Sequence, residues 1–356
     1  MNAEPAMCRA ARSVTRLRPL VATLALLAAA PAAGAQTAGP PGLHWEGVAF
    51  DPERQRLVVF GGVTSAGTYL AETWAWDGRG WTTLAETASS PGPRHAHAMG
   101  YDATRHRVVL FGGAFESRDT TIPPARRERA LCDVWWLEDA TWTRAADADC
   151  PIDRTAAASL VSRAARGEML LVEGPAAPGD TTPRRLRVWR RDGARWTLAD
   201  SAGPRRSPIA NGGVAFDERR GVLVVPMLAG PDSGVWEWNG ARWRHVRAAG
   251  PAPRRNYAIA YDSRRERVVL IGGLAPSPRR PLADHWTWDG ATWTETPSAG
   301  VAPAARSHAT LLNDTRNGRL LYFGGAGAGG LQRELWIFDR EGWRRWGDAP
   351  ASTGRR

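Results

Sequence analysis

Residues Ala260–Gly273 read AYDSRRERVVLIGG, and a little further on Trp286–Trp293 read WTWDGATW. The first stretch is an apolar strand, a polar turn opened by Asp262, and a strand rich in Val, Leu and Ile that ends in Gly-Gly. The second alternates Trp and Thr up to Asp-Gly, a pair that tolerates positive φ and closes hairpins, and then returns to Trp. Together they describe four antiparallel strands. The same unit recurs along the chain. Pairs of the form Trp-x6-Trp stand at Trp74/Trp81, Trp135/Trp142, Trp189/Trp196, Trp236/Trp243, Trp286/Trp293 and Trp336/Trp343, with successive copies 61, 54, 47, 50 and 50 residues apart.

A unit of this length cannot cover both faces of its own sheet, so copies must stack. Six of them stacked in a ring bury those faces against one another and protect the sheet edges. The pattern resembles the kelch repeat, an apolar strand ending in Gly-Gly followed by an aromatic strand, a turn and Trp. The resemblance spans about residues 40–346. It is best in the copies holding Gly61-Gly62, Gly112-Gly113, Gly272-Gly273 and Gly324-Gly325. The third copy is eroded to Val172-Glu173-Gly174, and the fourth has Val225-Pro226 in the glycines' place. The resemblance implies an all-β, six-bladed kelch-type β-propeller with four antiparallel strands per blade. Blades are expected at about 40–90, 91–150, 151–202, 203–250, 251–301 and 302–348, with a disordered tail at 349–356. The ring should close with little or no strand exchange, because the chain begins at the first strand of one blade and ends after the last strand of another.

Residues 1–35 read as a secretory signal. Arg9, Arg12, Arg16 and Arg18 precede the apolar run Leu20–Ala30, and Ala33-Gly34-Ala35 is a small-x-small cleavage site. An exported protein, periplasmic or extracellular, with no membrane span after cleavage is the expectation; an uncleaved N-terminal anchor is the alternative. Two cysteines then remain, Cys132 and Cys150. They bracket one predicted hairpin and suit a single disulfide in an oxidising compartment. The chain carries a formal +11, of which the signal accounts for +3, and the remainder is spread thinly. Nucleic-acid binding wants a concentrated basic stripe and is not expected. All 47 basic residues are Arg, so no Schiff-base lysine is available.

The paired Trp residues keep the blade period and are expected to pack between blades; Trp45, Trp136 and Trp346 lie outside the pairs. Asp51, Asp102, Asp217, Asp262 and Asp314 each open a turn and should cap its backbone, so no metal site is expected. A Pro-rich linker carrying Arg precedes most first strands and supplies Arg94, Arg154, Arg205, Arg254 and Arg306, with Leu43 at the corresponding place in the first blade. Two readings apply. The guanidiniums ring one mouth of the central channel and bind anionic groups, or each braces its own blade. His97 and His308 lie in the same zone and are the candidate proton-moving groups. No nucleophile elbow, zinc-protease motif or phosphate loop is present. Among kelch propellers, copper radical oxidases use a Cys-linked Tyr, which this chain does not provide; that activity and any cofactor are not expected. An exported sialic-acid mutarotase is a kelch propeller of similar size, although no motif residue of it can be matched here. The function expected is a module that binds a protein or an anionic or sugar ligand. The alternative is an enzyme acting on an acidic sugar at the same mouth.

Overall fold

A computed structural model describes residues 39–84, 90–116, 128–145, 158–173, 185–192, 195–205, 213–230, 232–297 and 300–346. The predicted signal, the 349–356 tail and Arg126-Arg127 lie outside them. Among the described residues are six four-stranded antiparallel sheets, each built from consecutive strands. The sheet holding Ala260–Gly273, for example, runs Ala258–Asp262, Arg267–Pro276, Arg279–Trp288 and Trp293–Glu295. Its second strand is buried on both faces at Val268, Val269 and Leu270. That explains why these strands read as unbroken apolar runs rather than alternating ones.

The six first strands are Gly47–Asp51, Ala98–Asp102, Ala158–Arg163, Ala215–Asp217, Ala258–Asp262 and Thr310–Asp314. Each touches the next, and the last touches the first. The fold is therefore a β-propeller whose inner strands surround a channel. Six apolar clusters fill the spaces between adjacent blades. Among the described residues no strand is exchanged at the seam, where the blades meet through packing. Leu43, Val48 and Leu57 meet Leu321, Phe323 and Ile337 there, and the Trp81 ring lies 5.6 Å from Phe323.

The second and third strands of the second blade are long, running over Arg107–Glu116 and Glu128–Glu138. A register shift at Gly112 lets the ladder continue, pairing Gly113 with Leu131 and Glu116 with Glu128. The fifth blade has the same extension, pairing Gly273 with Leu282 and Pro276 with Arg279. His95 bridges Ala114 and Arg255 bridges Leu274, so both extensions stand beside the linkers. Cys132, on the longer of these hairpins, is disulfide-bonded; Cys150 lies outside the described residues.

Candidate functional site

The linker arginines divide between two environments. Arg94, Arg254 and Arg306 are buried, and each makes the same set of contacts. The Arg254 guanidinium donates to both oxygens of Asp284 at 2.5 and 2.7 Å, to the Gly272 carbonyl and to the Ala252 carbonyl. Arg94 does the same with Asp133, Gly112 and Gly92. Arg306 does it with Gly324 and Ala304 and with one oxygen of Glu334. The acid in each set also accepts the indole N–H of the Trp two residues later, Trp135, Trp286 or Trp336. Burial pushes the Asp284 carboxyl up, but the Arg254 and Trp286 hydrogen bonds outweigh it and hold the group below the usual range. Of the two readings, bracing is the one this geometry supports for these three residues: their donors are committed inside the blade. Arg154 lies outside the described residues. Arg205 is exposed, and its backbone N–H donates to Asp232 at 2.8 Å.

The acids of this brace were not picked out from the sequence. Glu72, Asp133, Asp284 and Glu334 stand at one offset from the repeated Trp, which was the available signal. Glu72 holds the Trp74 indole, and Leu43, at the arginine's place, joins the seam core. The third blade reverses the charges. Glu173 occupies the place of the first glycine and Arg187 that of the acid, and they pair at 2.5 and 2.6 Å with Trp189 also on Glu173. The erosion of that repeat is thus an exchange of partners. The turn aspartates cap their own turns, as with Asp262 accepting from the N–H groups of Arg264 and Arg265.

His97 is buried between blades. A Cβ on Gly47 would lie 2.2 Å from its Nε2, so only glycine leaves it room. The Phe60 backbone is close, but neither ring nitrogen makes a hydrogen bond of normal geometry. Burial first, then the Arg94 and His95 charges, pushes its pKa down to about 3. His308 lies elsewhere, in a cluster where the linkers meet the channel. Its Nδ1 is 3.0 Å from Ser307 Oγ and its Nε2 2.7 Å from Asn256 Nδ2. The amide is a donor at Nε2, which leaves Nδ1 to carry the proton toward Ser307.

Trp45 belongs to this cluster. It is 39% exposed and is the one exposed Trp among the described residues. Its ring centroid lies 5.5 Å from His44, 5.6 Å from His95 and 6.2 Å from His308, groups contributed by three blades. Tyr69 flanks His95 at 5.1 Å. Trp45 holds a φ of 55°, as do Ala96, Asn256 and His308 at 52°, 53° and 60°. The four are equivalent, each two residues past the Leu43 or linker-arginine position. Adjacent ones are joined through the backbone, Ala96 N–H to the Trp45 carbonyl and His308 N–H to the Asn256 carbonyl. The strained conformation therefore belongs to the repeat, and the side chain displayed there is what differs from blade to blade.

Below this rim the channel encloses about 420 Å³, within the range of small-molecule pockets. Its lining is mostly apolar and includes Phe50, Met99, Leu160 and Ile259, with Glu46 and His97 at one end. Burial raises the Glu46 carboxyl from 4.5 to about 7. Between those values the folded protein holds a proton that the unfolded chain has released, so stability falls as pH rises through the window. Glu46→Gln is expected to leave thermal stability unchanged near pH 4 and to raise it by up to about 3 kcal/mol near pH 8. Calorimetric unfolding at the two pH values checks this. The buried histidines have the opposite sign. With His97 at about 3 and His285 and His308 at about 4, their contribution is present above 6.5 and is lost as pH falls toward those values.

No group of three His, Cys, Asp or Glu side chains placed to hold a metal occurs among the described residues. No described helix is long and apolar enough to cross a membrane. No protein-family model matches the chain, and no curated protein matches it by sequence. Its fold, in contrast, is shared with 394 solved chains. One of them, titled "Structure of YjhT", superposes with a TM-score of 0.60 at 15% identity, over 88% of this chain and 99% of that one. At that identity the likeness defines the class as a β-propeller, and a scaffold so widely used does not itself specify a chemistry.

Proposed function

We propose that this chain is an exported kelch-type binding protein whose ligand docks on Trp45 at the channel mouth. The exposed indole among His44, His95 and His308 carries the reading. A flat apolar ring edged by imidazole and amide groups suits a carbohydrate, which offers an apolar face and hydroxyls together. Arg255 and Arg279 are exposed on the same side and favour a sugar that also bears an anionic group. Export rests on the residues 1–35 read above.

Binding is preferred over catalysis for a stated reason. Both nitrogens of His308 are engaged, and His97 is walled off by Gly47 and Gly61, so the two do not form an acid–base pair. A glycan array probed with wild type and Trp45→Ala tests the proposal. The wild type is expected to bind a defined set of glycans, and the variant is expected to lose them while its unfolding temperature changes little. An array on which the two proteins behave alike would remove Trp45 from the site.

A further inference from the structure

Among the described residues eight carboxylates are buried: Glu46, Asp51, Asp102, Glu173, Asp217, Glu237, Asp262 and Asp314. Seven are ion-paired with arginine. Glu46 alone has no cationic partner among those residues, and it is the one of the eight that lines the channel. A buried carboxylate without a partner is costly, and the fold meets that cost everywhere else with a guanidinium.

The surroundings of Glu46 show why no described side chain serves. Its Oε1 lies against Gly324, where a Cβ would come within 2.6 Å, and its Cβ lies against Gly62. The nearby Arg306 is committed to the Gly324 carbonyl and Glu334. His97, on the next blade, is neutral, and His44, two residues back, is held below its usual range by burial. Other channel groups also await a partner. His97, Ser159 and Tyr101 also line the channel, and the Ser159 and Tyr101 hydroxyls have no hydrogen-bond partner among the described residues.

We propose that the channel takes a small organic amine, an ammonium on an apolar stem, with Glu46 as its counter-ion. The stem would lie along the apolar wall, among residues such as Met99 and Leu160. This occupant is distinct from the ligand on Trp45, and either assignment can fail while the other stands.

Benzylamine and benzyl alcohol differ little in shape but differ in charge, and they serve as the probes. They are titrated by calorimetry at millimolar concentration into wild type and Glu46→Gln near pH 8. The amine is expected to bind wild type about tenfold more tightly than the alcohol, the factor supplied by one hydrogen bond to a charged group. Glu46→Gln should erase that difference. Lowering the pH toward 5.5 should shrink it in wild type, because the proton competes with the amine for the carboxylate. Equal binding of the two probes, a preference that survives in Glu46→Gln, or no binding of either would overturn the proposal. Trp45→Ala is expected to keep the amine preference, which separates this site from the one above.

Discussion

Replacing Arg254 by methionine is expected to destabilise the protein by about 3–5 kcal/mol, the cost of breaking a buried ion pair from one side. Arg254 is 4% exposed and supplies four donor contacts. Without it, Asp284 loses both guanidinium contacts and keeps the Trp286 indole, and the Gly272 and Ala252 carbonyls lose a partner inside the blade. Arg254→Met/Asp284→Leu should recover part of the loss, because it removes the uncompensated charge, while the Gly272 and Ala252 carbonyls and the Trp286 indole stay without their partners. Denaturant unfolding of the single and double variants measures this. A single variant as stable as wild type would mean that the brace carries no weight.

Trp288→Ala should cost a similar amount, about 3–5 kcal/mol, through a different physical route. The Trp288 side chain is fully buried, 5.3 Å from the Trp293 ring, in the cluster that joins the fourth and fifth blades. Removing it leaves a cavity and also takes a donor from Glu237, which accepts the Trp288 indole at 2.9 Å together with Arg220 and Arg244. Trp288→Phe keeps most of the volume and loses only the hydrogen bond, so its cost should fall to about 1–3 kcal/mol. The same denaturation series reads both variants. Equal losses for Ala and Phe would show that the hydrogen bond, and not packing, governs this position.

The frame was legible because the repeat states it several times. Each Trp-x6-Trp copy fixes a hairpin, each Gly-Gly fixes the end of a strand, and their period implies stacking. What could not be read was which polar groups meet across that frame. The linker arginines looked like a ring of free charge because their acids lie some 28–39 residues further on. Burial is decided by the neighbouring blade and leaves no local mark. Glu46 shows this most clearly. In register it shares its position with His97, Tyr257 and Ala309, and nothing in its own segment tells a buried acid from an exposed one. Trp45 was separable as a Trp outside the pairs, and Leu43 two residues before it marked the blade that departs from the arginine pattern. Its positive φ and its three imidazole neighbours come from three linkers converging, which a linear reading does not contain.

The central claim is that ligand recognition sits on the Trp45 rim and not on Arg94, Arg205, Arg254 and Arg306. Arg205 is the fair competitor, since of Arg94, Arg205, Arg254 and Arg306 it is the one that remains exposed. Calorimetric titration of the strongest array glycan into Trp45→Ala and Arg205→Ala, side by side, separates the two. The account predicts that Trp45→Ala weakens binding by about tenfold or more, the scale of one lost aromatic contact, while Arg205→Ala binds as wild type does. Full affinity in Trp45→Ala with a loss in Arg205→Ala would contradict it.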